Sequence, residues 1–367
     1  MRSVLCAMSA AGILVVGLAC QQSGATSPQP AEGRPASADA GGAPGSGRAS
    51  ASGGAPGSGG APGTGGATAT PARADAGADG RTPAAPIVSV VAAGDIACNG
   101  CAQSATAGLI DNLISADHLA AVLVLGDLAY SSGSAAEFQS YYAPSWGRPE
   151  ILGLTHPVPG NHEYASGSAH DYFDVFDGPG GATGPAGPRD KGFYSFDVGA
   201  WHVIALNSSD ECRFVSCTQT SEQHDWLVAD LAAHPSTCTL AFWHHPRFQA
   251  GTSAGELTAA APLWNALYEA GVDVVLNGHE HGYQQLSPLD EAGQLDVAAG
   301  IRTFVVGTGG GEFDTTFGGP RLGALETSLT GSYGVLELTL SPSSYQWQFV
   351  AADGGRPAAA SGSASCH

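Results

Sequence analysis

Short apolar runs that end in polar residues recur along this chain and constrain its fold more than any other feature. Ile87–Ala93 precede Gly94-Asp95, and Ala120–Leu125 precede Gly126-Asp127. Continuous apolar runs of this length are typical of buried strands. The segment between them, Gln103–Ile114, has helical spacing. The three segments therefore predict a strand, a helix and a second strand that runs parallel to the first.

A second series of predicted elements follows, and its last part is richer in antiparallel strands. We expect an α/β fold, a layered αββα sandwich of two mixed β-sheets flanked by helices. The elements comprise a hairpin about Gly199 (Phe193–Val198 and Trp201–Asn207), helices at Glu222–Ala233 and Pro262–Ala270, and strands at Thr239–Trp243, Val272–Leu276, Thr303–Val306, Gly334–Leu340 and Tyr345–Ala351.

The N-terminal quarter differs in composition from the rest of the chain. Residues 21–86 are nearly all Ala, Gly, Ser, Pro and Thr. Such a segment cannot bury enough apolar surface to offset the entropy lost on ordering. We expect a disordered tether here, followed by one catalytic domain at residues 87–367.

The first 20 residues predict a signal peptide. Met8–Ala19 form an apolar stretch that is too short for a good membrane span. The stretch ends at Cys20 after a small residue, which resembles a bacterial lipoprotein signal. A plain signal peptide, cleaved or uncleaved, is the alternative. The lipoprotein interpretation predicts an exported protein of the cell envelope, anchored by lipid on the periplasmic or surface side of a bacterial membrane.

Eight cysteines are present, and removing the two in the first 20 residues leaves six. An even set in an oxidising compartment favours disulfides. Cys212 and Cys217 flank a short loop and are the first expected pair. The spacing of Cys98 and Cys101 would also suit a zinc knuckle or a redox pair. No second Cys-x-x-Cys accompanies it in the sequence, so a local disulfide is favoured.

The charge balance limits the possible partners. The formal net charge is −20, with only 13 Lys and Arg residues. No basic surface is available for a nucleic-acid polymer or for an anionic membrane, so membrane contact is expected through the lipid anchor only. A small phosphorylated substrate remains compatible, because the local charge of bound metal ions can outweigh the overall field. The sequence carries no indication of the oligomeric state.

Nearly every predicted strand in the first two thirds ends in residues able to bind a metal. A single Gly-Asp after a strand is commonly only a turn, but five such strand ends in series are hard to attribute to turns. Open α/β sheets place their sites at these ends. Carboxylate, phenolate and amide oxygens with imidazole nitrogens suit Fe, Zn or Mn, and their number indicates two metals that share a carboxylate. The candidate residues are Asp95, Asp127, Tyr130, Asn161, His162, Glu163, His244, His245, His279 and His281.

These motifs resemble the ordered motifs of calcineurin-like metallophosphoesterases, and the likeness covers roughly residues 87–310. Within that superfamily the chain resembles purple acid phosphatases, because Tyr130 is present and Ala97 stands where most other branches have a His. The same position usually carries Gly in purple acid phosphatases, which is a departure that removes no candidate ligand. The motifs are Gly94-Asp95, Gly126-Asp127-Leu-Ala-Tyr130, Gly160-Asn161-His162-Glu163, His244-His-Pro246 and Gly278-His279-Glu-His281.

The resemblance implies two metal ions with Asp127 as the bridge between them. Tyrosinate favours ferric iron at the site that contains Tyr130, and the other site would take Fe, Zn or Mn. By resemblance, Asp95, Asp127, Tyr130 and His281 hold the first ion, and Asp127, Asn161, His244 and His279 hold the second.

The resemblance also implies roles for the remaining candidates. His162 would contact the phosphate and protonate the leaving oxygen, Glu163 would orient His162, and His245 would face the substrate. The implied reaction is hydrolysis of phosphate monoesters, of acid-phosphatase type, by a hydroxide that bridges the two metals. The alternatives are a phosphodiesterase acting on nucleotides or lipid headgroups, and a non-catalytic surface lipoprotein. The last is disfavoured because none of the motif ligands is missing.

Several other groups are assigned no role. The glycine-rich loop Gly307–Gly311 is expected to be a strand-ending turn rather than a phosphate cradle, since no Lys-Ser or Lys-Thr follows it. Arg189 and Lys191 are expected to be solvated loop charges. Histidines that lack motif context, such as His118, His156, His202, His224 and His234, are also assigned no role.

Overall fold

The structure is a computed structural model, and it describes residues 86–116, 119–250, 256–313 and 322–367. The predicted signal peptide, residues 1–20, lies outside the described residues, as does the predicted tether, residues 21–86, except for Pro86. Within the described ranges, no helix is both long enough and apolar enough to cross a membrane.

The strands divide between two large sheets and one small hairpin. In chain order they are β1 (Val88–Ala93), β2 (Leu119–Leu125), β3 (Thr155–Val158), β4 (Thr183–Gly184), β5 (Gly187–Pro188), β6 (Tyr194–Val198), β7 (Trp201–Ala205), β8 (Cys238–Phe242), β9 (Val274–Asn277), β10 (Tyr283–Leu289), β11 (Ile301–Val306), β12 (Leu325–Leu329), β13 (Gly334–Ser341), β14 (Ser344–Ala351) and β15 (Ser361–Ser365).

Most of the helices connect strands. They are α1 (Gln103–Ser115), α2 (Ala135–Glu137), α3 (Pro149–Leu152), α4 (His170–Asp177), α5 (Ser209–Cys212), α6 (Glu222–Ala233) and α7 (Ala261–Glu269), with a π-helical turn at Phe138–Tyr142 and 3₁₀ turns at Thr258–Ala260, Leu322–Ala324 and Ala358–Ala360.

Both large sheets are mixed. The first has the order β15-β14-β13-β1-β2-β3, and the second has the order β12-β10-β11-β9-β8-β7-β6. In the first sheet β1, β2 and β3 run parallel, and in the second β7, β8, β9 and β11 run parallel. The other pairings in these sheets are antiparallel. The α/β class and the two mixed sheets predicted from the sequence are confirmed.

Side-chain alternation along the second sheet produces the layers. Val203 in β7 and Leu240 in β8 belong to a core cluster that also contains the buried strands of the first sheet. Their neighbours Ile204 and Ala241 point to the opposite face, into a second cluster with side chains of α6 and α7 such as Leu227 and Trp264. On the far side of the first sheet, Leu109 and Ile110 of α1 join the first cluster. Helices therefore flank both sheets, as predicted.

Three disulfides tie the described part of the chain. Cys98–Cys101 and Cys212–Cys217 are the local pairs favoured by the sequence. The third, Cys238–Cys366, joins the first residue of β8 to the residue that follows β15, across a sequence separation of 128. This long connection, which the sequence did not predict, ties the two sheets covalently.

We predict that removing the Cys238–Cys366 bond by a double substitution to Ala destabilises the protein far more than removing Cys212–Cys217 in the same way. Loop-closure entropy alone gives about 5 kcal/mol for the long loop and about 2 kcal/mol for the short one. Urea unfolding of the two variants beside the wild type measures the difference in free energy of unfolding. Equal losses would contradict the entropic argument.

Candidate metal centre

The predicted ligands lie at the carboxyl ends of parallel strands in both sheets. The first sheet supplies Asp95 after β1, Asp127 and Tyr130 after β2, and Asn161 after β3. The second sheet supplies His244 after β8, and His279 and His281 after β9. Carboxyl ends of parallel strands share one edge of a sheet, which is where α/β proteins place ligands. The site therefore draws its side chains from both layers of the sandwich.

Three of these residues have positive φ angles, which residues other than glycine rarely adopt. The φ angles are 61° at Asp95, 51° at Asp127 and 73° at His279. Such left-handed conformations cost energy and are often found at functional sites. Backbone hydrogen bonds hold two of the turns together, since Asp95 N donates to Gly126 O at 3.0 Å. The amide of His279 donates to Asp95 Oδ2 at 2.9 Å, which joins the second sheet to the first.

The glycines that precede the ligands are required by close packing. A Cβ atom on Gly160 would overlap the Asp127 carboxylate, and one on Gly278 would lie 2.7 Å from Asp95 Oδ2. Neither neighbour can move without displacing a candidate ligand. The spacing of the Gly-Asn and Gly-His motifs therefore has a steric cause.

One group of donor atoms gathers around Tyr130. Its hydroxyl donates to Asp95 Oδ1 at 3.0 Å and lies 3.0 Å from His281 Nε2. Asp95 Oδ1 and His281 Nε2 are 3.3 Å apart. The three side chains thus present two oxygens and a nitrogen to one point.

A second group gathers around His244. Its Nε2 lies 3.2 Å from Asn161 Oδ1, 3.2 Å from His279 Nδ1 and 3.2 Å from Asp127 Oδ2. Asp127 Oδ2 also lies 3.5 Å from Tyr130 Oη. Asp127 therefore stands between the two groups.

The buried charges shift one another's pKa values. Burial would raise the pKa of Asp127, but attraction to His244 and a hydrogen bond from it hold that pKa below its usual range. Burial would lower the pKa of His244, yet Asp127 raises it to about 9. Burial and the nearby carboxylates raise the pKa of Tyr130, so its phenol is neutral here. The site thus favours positive charge beside its carboxylates.

The donor set fits a pair of metal ions. Ligands bound at about 2.0–2.2 Å to one ion lie roughly 3.0–3.4 Å apart, close to the separations within each group. In the described part of the chain, the ion pairs of Asp95 and Asp127 are made with histidines. Carboxylate, phenol, amide and imidazole donors suit Fe, Zn or Mn.

His162 lies at the mouth of this cluster, with 31% of its side chain exposed. Its Nδ1 lies 2.6 Å from Ser131 O, and its Nε2 lies 3.7 Å from Asp127 Oδ2. Its backbone amide donates to Asp127 Oδ1 at 2.9 Å. The ring is therefore fixed on one side and directed toward the site on the other.

The contacts of Glu163 differ from the expectation that it orients His162. Its carboxylate is buried and accepts hydrogen bonds from the backbone amides of Asp127 at 3.0 Å, Leu128 at 2.8 Å and Gly160 at 2.8 Å. Burial and the nearby Asp127 raise its pKa to about 7. These contacts hold together the two loops that carry Asp127 and Asn161, rather than orienting the His162 ring.

His245 is buried beside the cluster, with its ring centroid 4.3 Å from that of His279. Its Nδ1 lies 2.8 Å from Ser208 Oγ, a partner that the sequence analysis did not include. Burial and repulsion from His244 and His279 lower the pKa of His245 well below its ordinary value. Together with Glu211, His245 lines a cavity of about 130 Å³ that also reaches His279.

The Gly307–Gly311 loop follows β11 and braces the Asp95 turn. Gly309 N donates to Gly94 O at 2.9 Å, and Gly311 N donates to Asp95 O at 2.8 Å. It is the strand-ending turn expected from the sequence.

The two loop cations considered in the sequence analysis, Arg189 and Lys191, are both paired with carboxylates. Arg189 contacts Asp174, and Lys191 contacts Glu222. The structure therefore gives neither cation a contact with the candidate metal ligands.

An αββα sandwich whose strand ends converge on oxygen and nitrogen donors is the architecture of the metallophosphoesterase fold. A sequence profile of the calcineurin-like phosphoesterase family matches residues 88–283, from the start of β1 to the start of β10. The chain belongs to this family. The match includes every candidate ligand.

Individual relatives are purple acid phosphatases. Purple acid phosphatase 15 of Arabidopsis thaliana is 26% identical over 217 residues, and the match covers 49% of this chain and 39% of that protein. Purple acid phosphatase 21 of the same plant is 30% identical over 196 residues, and the match covers 48% of this chain and 42% of that protein. The chain therefore spans less than half the length of these two relatives.

A solved structure has the same fold. The purple acid phosphatase from yellow lupin seeds (Lupinus luteus) superposes with a TM-score of 0.64 at 18% identity, covering 77% of this chain and 54% of that one. The resemblance to the superfamily and to purple acid phosphatases is confirmed. The family and these relatives imply a dinuclear metal centre.

We predict that Glu163→Gln lowers the free energy of unfolding of the metal-free protein by about 1–3 kcal/mol. The amide that replaces one carboxylate oxygen would face backbone N–H donors and leave at least one buried donor unsatisfied. Urea unfolding measures the change, and the exposed Glu150→Gln is the matched control, expected within about 0.5 kcal/mol of wild type. Wild-type stability of Glu163→Gln would rule out the anchoring role.

Proposed function

We propose that this chain hydrolyses phosphate monoesters at a dinuclear metal centre. The observation that carries the proposal is the convergence of seven oxygen and nitrogen donors in two groups that share Asp127. Membership of the calcineurin-like phosphoesterase family and similarity to purple acid phosphatases support it.

The two groups define the proposed ligand sets. When bound, two cations would offset the negative charge of the phosphoryl oxygens and lower the pKa of a water molecule. Iron is proposed for the site of Tyr130, because a phenolate donor suits a highly charged ion, and Fe, Zn or Mn for the other. The first set is Asp95, Asp127, Tyr130 and His281, and the second is Asp127, Asn161, His244 and His279.

His162 is the proposed proton donor to the leaving oxygen. Its Nδ1 is within hydrogen-bond distance of Ser131 O, which leaves Nε2 to face the site. The carboxylate oxygen Oδ2 of Asp127 lies 3.7 Å from Nε2. Glu163 is proposed as a positioning residue that holds Asp127 and the Asn161 loop in register.

The space beside His245 favours a small leaving group. His245 and His279 line a cavity of about 130 Å³. His245 is proposed to contact the ester from this cavity, with Ser208 fixing its ring. A phosphodiester would need room for a second ester group, so the monoester is the favoured substrate class.

We predict that the full chain, loaded with iron and with zinc or manganese, hydrolyses p-nitrophenyl phosphate faster than bis-p-nitrophenyl phosphate. Asn161→Ala should lower kcat/KM by at least about 100-fold, because it removes a proposed ligand. The exposed Asn112→Ala on α1 is the matched control and should retain wild-type turnover.

Each other outcome has a distinct meaning. Preference for the diester, with the same loss in Asn161→Ala, would replace the monoesterase by a phosphodiesterase. No turnover of either ester by folded, metal-loaded protein would overturn the hydrolase proposal.

Elemental analysis of wild type and Tyr130→Phe tests the iron assignment. The assignment requires iron in the wild type and less iron in Tyr130→Phe.

We also propose that the protein is exported and anchored by lipid at Cys20, with residues 21–86 as a tether. The three disulfides support an oxidising compartment. In a bacterial host, Cys20→Ser should move the protein from the membrane fraction to the soluble fraction, whereas Cys6→Ser should leave it at the membrane. Membrane retention of Cys20→Ser would contradict lipid anchoring.

A further inference from the structure

A second cluster of histidine and aspartate side chains lies in the second sheet, at the opposite end of its strands from the proposed metal centre. His202 is the second residue of β7, where it pairs with Asp197 of β6 and with Thr239 of β8. The proposed ligand His244, by contrast, follows the end of β8. The cluster and the metal centre therefore occupy different ends of the same strands.

Asp230 of α6 and His234, the residue that caps this helix, complete the cluster. His202 Nε2 lies 2.9 Å from Asp230 Oδ2, and His202 Nδ1 lies 2.9 Å from Asp197 Oδ1. His234 Nδ1 lies 3.2 Å from Asp230 Oδ1, and the two imidazole rings stack with their centroids 4.7 Å apart. Single ligand atoms of His202, Asp230 and His234 all lie within 4.8 Å of one another.

The cluster is buried at its centre and open at its rim. The side chains of His202 and Asp230 are 3% and 7% exposed, whereas that of His234 is 50% exposed. A cavity of about 290 Å³, lined by Asp197, His202, His234 and Ser236 among others, opens on it. The cavity therefore brings solvent to His202 and His234.

We propose that His202, Asp230 and His234 bind a third metal ion, a borderline divalent cation such as zinc. Two imidazoles and one carboxylate are a common zinc donor set, and three protein ligands leave a position for water. Asp197 lies at the other nitrogen of His202. A carboxylate in that place favours the tautomer whose Nε2 can bind the ion beside Asp230, an arrangement typical of metal-binding histidines.

The electrostatics of the cluster favour a cation. Burial would lower the pKa of His202, but the carboxylates of Asp230 and Asp197 raise it. Burial would raise the pKa of Asp230, yet hydrogen bonds from His202 and Ser195 lower it. A divalent ion would replace the proton that these groups share. The carboxyl end of α6 adds the negative end of its helix dipole.

The consequence of metal binding here is structural. The ion would join the end of α6 to the β6–β7 hairpin, which forms an edge of the second sheet. A ligand that binds only the folded state stabilises it in proportion to its affinity and concentration. Zinc should therefore raise the thermal unfolding temperature without taking part in hydrolysis.

Calorimetric titration with Zn²⁺ of the full chain, its two-metal centre already loaded, tests the proposal. Wild type should bind one further equivalent, and His234→Gln and Asp230→Asn should lose it. Asp197→Asn should still bind one equivalent, with affinity lowered about 10–100-fold, because it removes only the partner of a ligand. The exposed His170→Gln and Asp225→Asn are matched controls and should bind as wild type does.

A second measurement protects the test from a variant that misfolds. Zn²⁺ should raise the Tm of wild type and of both controls but not that of His234→Gln, whose half-exposed side chain makes folding of the variant expected. Unaltered p-nitrophenyl phosphate turnover by His234→Gln would separate this site from the proposed centre. The proposal is overturned if wild type binds no further zinc, or if His234→Gln binds it as tightly as wild type.

Discussion

Two carboxylates, those of Asp95 and Asp127, are buried almost completely at the edge where both sheets end. Burying such charges costs several kcal/mol each unless opposite charges and hydrogen bonds offset the lost solvation. Here the compensating groups come largely from the other sheet, as His244 and His281 face these carboxylates and the His279 amide donates to Asp95. The charge balance of the site therefore depends on how one sheet is placed against the other. The glycines packed against both carboxylates leave little room for any other placement.

Most of the fold followed from the sequence because parallel strands buried on both faces are continuous apolar runs. Every predicted strand and helix is present within a few residues of its expected bounds. The strands that were missed lack this signal. In β10 the buried Gln284 and Gln285 interrupt the pattern. Gln284 accepts a hydrogen bond from Ala250 N, and Gln285 accepts one from Trp347 Nε1 and donates one to Glu326. β15 is built of Ser, Gly and Ala and is held by pairing with β14.

The candidate ligands were predictable for a related reason, since each lies in a short motif and all except Asn161 follow a strand that the sequence predicts. Contacts that depend on which distant segments meet were not predictable. Ser208 beside His245 and the backbone amides around Glu163 belong to this class. So does the contact of His202 with Asp230, which lies 28 residues away on a different element. The spacing of residues in the sequence does not predict such contacts unless both partners lie within one turn or one hairpin.

The Cys238–Cys366 bond also bears on the order in which the chain matures. The partners of Cys98 and Cys212 lie within a few residues, so those pairs form as soon as each segment emerges. Cys238 must wait until the last described strand has been made, and during that interval its thiol is open to exchange with the earlier pairs. In an oxidising compartment the native set of bonds therefore depends on thiol–disulfide exchange, which an isomerase accelerates, to release Cys238 from any wrong partner.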